Sequence, residues 1–208
     1  MNVYDFDGTI YKGDSTYDFY FYIIKKYPKA LIYLPNFIVS FVLYKLNLRI
    51  KNDKKFDYLS DDDFLVLNKT YLKQNFFSFL KVINKKDIDK LIHNFWLEKI
   101  NENKIFKYYI KKRKKEDVII SASPRFLLEP MIKVFKCKLI CSEVDKHTGK
   151  YNSLSCWWIE KVDRYKEVYG EKPIDEFYSD SVTDLPLALI SRKPYRVLQN
   201  GTVIKWNF

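Results

Sequence analysis

The sequence predicts an α/β protein in which a parallel sheet is covered by helices on both faces and an all-helical insertion follows the first strand. Three observations predict this fold. Residues 116–208 alternate short apolar strands with helical segments, a pattern typical of a parallel sheet. Residues 15–115 show helical spacing of apolar residues and no strand pattern. A short strand at residues 2–6 precedes them, so it must join the sheet from the other side of the helical block.

The individual elements follow from the same patterns. Strands are expected at residues 118–120, 138–141, 174–178 and 195–198, helices at 124–135, 158–169 and 183–190, and a final hairpin at the Asn200-Gly201 turn. Ser15 with Asp18 and Ser60 with Asp63 have the spacing of capping boxes, which predicts that two helices of the insertion begin there. We therefore expect an α/β core of residues 1–14 and 116–208, and a helical cap of residues 15–115 over the site.

Composition excludes several classes of protein. Of the 208 residues, 47% are hydrophobic and 18% aromatic, which is too rich in core-forming residues for a disordered chain. Three cysteines, Cys137, Cys141 and Cys156, are too few and too unevenly placed for a disulfide scaffold. The two histidines, His93 and His147, lie far apart in sequence, so we expect buried or half-buried thiols rather than a zinc site. Because no signal peptide precedes Asp5, a cytoplasmic location is expected.

The net charge of +11 leaves two interpretations open. The densest basic run, residues 111–115, is followed at once by Glu116-Asp117, and such a run is typically a solvated helix end. A contact with nucleic acid or with an anionic membrane is the alternative. Of these partners, nucleic acid is the least favoured.

Polar residues follow the predicted strands at the edge where a parallel sheet places its ligands. Asp5 and Asp7 come after the first strand, Ser121 after the second, and Asp180 after a later one. Two further charged residues, Lys161 and Asp184, lie in or next to the helices that flank this edge. Together these residues predict one site.

The residue types are those that phosphoryl transfer requires. Asp5 can attack phosphorus and form an aspartyl-phosphate, which divides one difficult displacement into two easier ones. Asp7 can protonate the leaving oxygen and then activate the attacking water. Mg²⁺ prefers oxygen ligands and keeps several waters, so Asp5, Asp180 and a backbone carbonyl near Asp7 would suffice to bind it.

The remaining residues would support the phosphoryl group. Ser121 offers a hydroxyl and Lys161 a positive charge where the transition state accumulates negative charge. Asp184 can hold Lys161 or a metal-bound water in place. Gly8 permits a tight turn after the nucleophile, and Thr9 can donate a side-chain hydrogen bond within that turn.

Four segments of the sequence resemble, in order, the motifs of the haloacid dehalogenase superfamily. They are residues 5–9 (DFDGT), 119–124 (IISASP), 156–161 (CWWIEK) and 179–186 (SDSVTDLP), of which the third is the most variable in the family. The resemblance implies a Rossmann-like core, and the long helical insertion is similar to that of the phosphoserine-phosphatase-like branch. Dehalogenases of this superfamily lack the second aspartate of the first motif, so the presence of Asp7 indicates phosphate chemistry.

The insertion leaves the substrate undetermined. In the phosphoserine-phosphatase-like branch, a carboxylate nine residues after the nucleophile can bind a substrate amine, and Asp14 holds that position, although a capping role beside Ser15 is an equal alternative. Residues 30–44 carry no formal charge but are too short for a bilayer span and are interrupted by Pro35-Asn36. Residues 17–46 are therefore interpreted as cap core or, alternatively, as a peripheral membrane contact flanked by lysines.

These observations predict a magnesium-dependent phosphomonoester hydrolase that acts through Asp5 on a small phosphorylated metabolite or on a lipid headgroup phosphate. In the second case the enzyme would resemble a phosphatidylglycerophosphatase and lie at the inner face of a membrane. Two other classes stay open: a catalytically silent binding or regulatory protein with this fold, and a nucleic-acid binder such as a polynucleotide-end phosphatase.

Overall fold

The computed structural model describes residues 1–48 and 60–207 of the chain. The strands are β1 (Asn2–Tyr4), β2 (Val118–Pro124), β3 (Lys138–Ser142), β4 (Ile174–Ser179), β5 (Ser191–Val197) and β6 (Val203–Lys205). The α-helices are α1 (Ser15–Lys26), α2 (Leu34–Lys45), α3 (Asp61–Phe76), α4 (Ile88–Asn101), α5 (Lys107–Lys112), α6 (Arg125–Phe135), α7 (Ile159–Tyr169) and α8 (Leu185–Leu189). Short 3₁₀ segments cover Pro28–Tyr33, Phe77–Val82 and Val182–Asp184.

The six strands form one sheet in the order β3-β2-β1-β4-β5-β6. The first five are parallel to one another, and β6 pairs antiparallel with β5 as the predicted hairpin. β1 lies at the centre, where Val3 is in register with Val118 of β2 and Phe177 of β4. The structure thus confirms the predicted α/β fold, in which β1 and β2 are neighbours in the sheet although residues 5–117 separate them in the chain.

The sheet is buried on both faces because its strands are apolar at consecutive positions. Side chains alternate between the faces, and the buried residues accordingly divide into two clusters. Tyr4 and Ile119 belong to one cluster, which α4 and α6 cover, whereas Val3 and Ile120 belong to the other, which α7 and α8 cover. This burial fixes the carboxyl ends of β1, β2 and β4 relative to one another.

The helical insertion packs directly on the first of these faces. Phe19 of α1 and Phe95 of α4 belong to the same apolar cluster as Tyr4 and Leu127. The indole nitrogen of Trp96 also donates to the carbonyl oxygen of Leu127 at 2.6 Å. One apolar cluster therefore joins the insertion to the sheet, and the division of the chain at residues 15 and 115 stays a prediction.

The two predicted helix starts have different outcomes. Ser60 is the N-cap of α3, since its hydroxyl oxygen accepts from the amide of Asp63 at 3.2 Å and its hydroxyl donates to the Asp63 carboxylate at 2.7 Å. The capping box at Ser15 is wrong. Asp14 is the N-cap of α1, where its carboxylate accepts from the amides of Thr16 and Tyr17, and Ser15 is already the first helical residue.

Residues 17–46 cover all of α1 but its first two residues, the first 3₁₀ segment and the whole of α2. α1 buries an aromatic face, but of the twelve residues of α2, all of which are described, Ser40 alone is buried. Its apolar side chains at Leu34, Ile38, Val39, Phe41 and Val42 are exposed. Among the described residues, no helix is long and apolar enough to cross a membrane.

The basic run and the cysteines lie where they were expected. Residues 111–116 are exposed at the end of α5 and just beyond it, as a solvated helix end requires, and a contact of this run with nucleic acid or an anionic membrane stays a prediction. Cys141 and Cys156 are buried free thiols, and Cys137 is half-buried.

Candidate active site

All of the predicted site residues except Thr9 line one cavity of about 630 Å³ at the carboxyl ends of the central strands. Asp5 follows β1, Ser121 lies near the end of β2, and Asp180 follows β4. Because β1 lies between β2 and β4 in the sheet, these three residues come from adjacent strand ends. The amide of Asp5 donates to the carbonyl oxygen of Tyr178 at 2.9 Å, so the hydrogen bonding between β1 and β4 continues as far as the site.

A buried lysine connects two aspartates at the centre of the site. The Lys161 ammonium, in the first turn of α7, lies 2.8 Å from a carboxylate oxygen of Asp5 and 2.6 Å from one of Asp184. The other Asp184 oxygen accepts from the Ser179 hydroxyl at 2.6 Å. All of these side chains are at most one-tenth exposed, so the ammonium is fixed by charged partners rather than by solvent.

Burial and neighbouring charges shift the pKa values of this group in opposite senses. Desolvation raises the pKa of Asp5 well above its ordinary value; the Lys161 charge opposes the rise, and Asp184 and Asp180 add to it. For Lys161, desolvation favours the neutral amine, but Asp184 and Asp5 outweigh it and raise the pKa. Lys161 is therefore a permanent cation. Asp5, Asp180 and Asp184 bring three carboxylates to the site, and Lys161 supplies one positive charge. This imbalance favours the binding of a further cation beside Asp5.

Asp7 is held by two donors and surrounded by protein. One carboxylate oxygen accepts from the Ser15 amide at 2.7 Å, and the other accepts from the Ser123 hydroxyl at 2.5 Å. Desolvation, with a contribution from the charge on Asp14, raises the pKa of Asp7 to about 7, although both hydrogen bonds oppose the rise. A carboxyl group with this pKa can both give and take a proton near neutral pH.

Gly8 and Thr9 position Asp180 against the loop after β1. The Thr9 hydroxyl oxygen accepts from the Asp180 amide at 3.0 Å, so the loop after β4 is tied to the loop after β1. Gly8 has φ +71°, and a Cβ atom added there would lie 2.1 Å from a carboxylate oxygen of Asp180. Glycine is thus required both by the backbone conformation and by the close approach of Asp180.

The end of β2 contributes hydroxyl groups. Ser121 is buried and lines the cavity, and its oxygen accepts from the Ser123 amide at 3.1 Å. Ser123 is hydrogen-bonded to Asp7 and lies 3.0 Å from the Thr16 hydroxyl of α1. The end of β2 therefore links the sheet, the loop after β1 and the helical insertion.

Comparisons with known proteins agree with this arrangement. The family model for haloacid dehalogenase-like hydrolases matches residues 3–189, which is most of the chain. The chain belongs to this family. No curated protein matches the sequence at a significant level.

Two solved structures resemble this haloacid dehalogenase-like fold. One is a protein of unknown function from Bordetella pertussis Tohama I, with a TM-score of 0.58 and 15% identity, covering 93% of this chain and 87% of its own. The other is a phosphoserine phosphohydrolase-like protein from Francisella tularensis subsp. tularensis SCHU S4, with a TM-score of 0.42, 16% identity and coverage of 93% and 86%. At this identity the first supports the fold alone.

Haloacid dehalogenase-like hydrolases generally use a divalent metal ion, typically Mg²⁺, and the donor set here fits one. Asp5 and Asp180 provide carboxylates that line the same cavity, and the glycine at position 8 leaves room for the Asp180 carboxylate beside the loop. Within the described ranges no group of three His, Cys, Asp or Glu side chains could hold a metal. Two carboxylates with a backbone carbonyl and waters are nevertheless enough for Mg²⁺, which retains much of its hydration.

Most of the predicted site residues come together, and two differ in detail. Asp5, Asp7, Ser121, Lys161, Asp180 and Asp184 all line the cavity. Asp14 also lines it, but its carboxylate is engaged in capping α1. Thr9 is fully buried and holds Asp180, so the structure gives it a contact within the site rather than a place on the cavity surface.

The sequence did not single out three residues that the structure places at the site. Ser123 is in the second motif, two positions after Ser121, and its hydrogen bond to Asp7 could not be read from spacing alone. Lys69 and Lys73 of α3 also line the cavity. Their four-residue separation puts them on one helix face, but in a chain with 37 lysines and arginines such pairs carry little information.

Proposed function

We propose that this protein is a magnesium-dependent phosphomonoester hydrolase with Asp5 as its nucleophile. The observation that carries the proposal is the pair of ion contacts from Lys161 to Asp5 and Asp184, next to an Asp7 whose carboxylate has its own donors. A lysine at a solvated surface would not need two buried carboxylate partners. A phosphate group entering the cavity would find a nucleophile, a fixed cation and a proton donor.

The proposed first step forms a phospho-enzyme. A carboxylate oxygen of Asp5 attacks phosphorus, the bond from phosphorus to the ester oxygen breaks, and the departing oxygen takes the proton of the Asp7 carboxyl group. Lys161 and the Ser121 hydroxyl stabilise the negative charge on the phosphoryl oxygens. Asp184 keeps the ammonium of Lys161 oriented during this step.

The second step releases phosphate. Asp7, now ionised, takes a proton from a water molecule, whose oxygen attacks phosphorus, and the bond from phosphorus to Asp5 breaks. Inorganic phosphate leaves, and both carboxyl groups return to their starting states. Mg²⁺ bound by Asp5, Asp180 and the Asp7 backbone carbonyl would supply positive charge that offsets the repulsion between the nucleophile and the phosphate.

Substitution of the nucleophile tests this mechanism. Asp5→Asn should abolish Mg²⁺-dependent release of inorganic phosphate from p-nitrophenyl phosphate and from a panel of phosphorylated metabolites. Asp163→Asn, which removes an exposed carboxylate from α7, is the matched control and should retain activity. Turnover at the wild-type level in Asp5→Asn would contradict the mechanism. Wild-type protein that binds phosphonates but releases no phosphate would favour the silent binding protein instead.

A second candidate places the substrate at a membrane surface. The favouring observation is that α2 lines the active-site cavity with Phe37 and Phe41 and also exposes Ile38, Val39 and Val42. Exposed lysines lie at both ends of this segment, at Lys25, Lys26, Lys29 and Lys45. An apolar helix face flanked by lysines is complementary to an anionic lipid surface, and a lipid headgroup phosphate would then enter beside α2.

Vesicle flotation tests the membrane candidate. At low salt, the protein should float with vesicles that contain anionic lipid and sink with neutral ones. Val39→Asp should reduce flotation, whereas Val134→Asp, at an equally exposed valine of α6, should not (57% and 59% exposed). Failure of the wild-type protein to associate at low salt would leave a soluble metabolite as the proposed substrate.

A further inference from the structure

The active-site cavity is also lined by two lysines of the helical insertion that the proposed mechanism does not use. Lys69 and Lys73 are one helical turn apart on α3, and both line the cavity that contains Asp5 and Lys161. We call them the α3 lysines. Both side chains are half-buried. They are therefore cationic groups within the site rather than on the outer surface.

The ammonium group of Lys69 is held in place by aromatic rings. It lies 5.0 Å from the ring centroid of Tyr44, in α2, and 5.5 Å from that of Trp157, in the loop before α7. Cation–π contacts position a lysine without neutralising it. These contacts fix the position of the Lys69 ammonium at the cavity.

The ammonium group of Lys73 is held by the end of β2. It donates to the carbonyl oxygen of Ala122 at 2.8 Å, between Ser121 and Ser123. One hydrogen bond uses one of the three protons of an ammonium group, so two remain for other acceptors. The charges on Asp14 and Asp7 also act on Lys73, which places it near the leaving-group side of the site.

Neither ammonium has a carboxylate partner in the part of the chain that the structure describes. Desolvation, reinforced by the charge of a neighbouring lysine, lowers the pKa of both groups, that of Lys73 to about 8. Two cations close together and partly desolvated are unfavourable by themselves. A bound anion would remove this penalty.

The size of the cavity shows that a phosphate group alone would not fill it. Its volume of about 630 Å³ is within the range of sites that bind whole small molecules, roughly 300–1,000 Å³. The phosphoryl group is expected next to Asp5 and Lys161. The rest of the substrate would then lie against α3.

We infer that the α3 lysines form a second anion subsite, so that the substrate is a phosphomonoester carrying another anionic group, a carboxylate or a second phosphoryl group, beyond the bond that is broken. The inference rests on the proposed function, because it takes Asp5 as the position of the transferred phosphate. The two parts of the cavity would bind the two ends of one molecule. The spacing between Lys161 and the α3 lysines would then select the length of the substrate.

Three unreactive phosphonates test the subsite by calorimetry on the Mg²⁺-loaded protein. Propylphosphonate has one anionic group, 3-phosphonopropionate adds a carboxylate, and propane-1,3-diyl bisphosphonate adds a second phosphoryl group. At least one of the two longer anions should bind about tenfold or more tightly than propylphosphonate, since hydrogen bonds between charged groups have this strength. Which one does so identifies the second anion.

Substitution of the lysines separates the subsite from general electrostatic attraction. The affinity ratio is the affinity for the tighter of the two longer anions divided by that for propylphosphonate. In the double variant Lys69→Gln/Lys73→Gln this ratio should fall to about one. A change that weakens the binding of all phosphonates equally cancels in the ratio. Lys90→Gln, which removes one exposed charge from α4, should leave the ratio unchanged.

Several outcomes would overturn the inference. A wild-type ratio near one, no binding of any of the three ligands, or a ratio that persists in the double variant would each do so. The wild-type measurement decides the matter even if the double variant does not fold. Phosphate release by wild-type protein and its loss in Asp5→Asn are measured independently, so the proposed function can stand when the subsite fails.

Discussion

Substitution of Gly8 should damage catalysis far more than it damages the fold. An alanine there would have φ +71°, a conformation that costs a residue with a side chain about 1–3 kcal/mol. Its Cβ atom would also lie 2.1 Å from one Asp180 carboxylate oxygen and 2.3 Å from the carboxylate carbon. Because ordinary contact begins at 3.4 Å, Asp180 must move by about 1 Å or more.

Gly170 provides a matched control for the conformational cost. It also has a positive φ, +59°, at the end of α7, but an added Cβ atom would meet nothing within 4 Å. Both alanine variants should therefore lose about 1–3 kcal/mol of unfolding free energy, equivalent to a fall in Tm on the order of 2–10 °C. Only Gly8→Ala should also displace a proposed metal ligand.

The assay is phosphate release measured over a series of Mg²⁺ concentrations. Gly8→Ala should lower kcat/KM by on the order of 100-fold, since a displacement of about 1 Å in a catalytic group has that effect, and should raise the Mg²⁺ concentration for half-maximal rate. The increase in Tm on adding Mg²⁺ should shrink in parallel. Gly170→Ala should behave as wild type in both. If Gly8→Ala retains wild-type kcat/KM and Mg²⁺ dependence, the position of Asp180 does not control Mg²⁺ binding or catalysis.

Three further predictions concern the contacts around the site. Lys161→Met leaves the Asp184 carboxylate buried without its counter-charge, so urea unfolding should show a loss of about 3–5 kcal/mol. Trp96→Phe keeps the ring but leaves the carbonyl of Leu127 without its indole donor, and calorimetry should show a loss of about 1–3 kcal/mol with phosphate release preserved. Asp14→Ala should cost about 1 kcal/mol in thermal unfolding, whereas Asp14→Asn, which also caps helices well, should cost almost nothing.

Each of these has an outcome that would contradict it. A fully stable Lys161→Met would show that the aspartates become neutral without cost. An inactive but stable Trp96→Phe would mean that the contact between insertion and sheet serves the chemistry rather than the fold. For Asp14, a stable Asp14→Asn variant with a raised KM for amine-bearing phosphomonoesters would favour substrate binding over capping.

The sequence was sufficient to predict the sheet because its strands are buried on both faces. Runs such as Val118-Ile119-Ile120 are apolar at consecutive positions, and a polar residue follows each run. The sequence therefore indicates both the strand and its carboxyl end, where the site residues lie. The same logic placed Asp5 and Asp180 at one edge. Order along the chain and handedness of parallel connections then leave few arrangements.

Helix starts were less predictable, because neighbouring residues can serve equally well as caps. Asp14 and Ser15 are both good N-cap residues, and the choice depends on which one adopts extended backbone angles. In the structure the Ser15 amide donates to Asp7 and Asp14 is the N-cap, so the helix begins at Ser15, one residue earlier than a cap at Ser15 would have placed it. The hydrogen bond from the Ser15 amide to Asp7 joins α1 to the loop after β1, and no pattern of neighbouring residues predicts it.

The sequence by itself determined the fold family and the residues of the candidate site: Asp5 and Asp7 belong to a specific first motif, and Lys161 was singled out by its place in the order of the four motifs. Only the tertiary structure decided what surrounds them. The α3 lysines are two among many in a lysine-rich chain until packing places them on the cavity, and the apolar residues of α2 become a surface only because no described element covers their outer face. The motifs are short runs of neighbouring residues, so the sequence alone identifies them. Burial and cavity lining depend on contacts between segments far apart in the chain, so only the tertiary structure shows them.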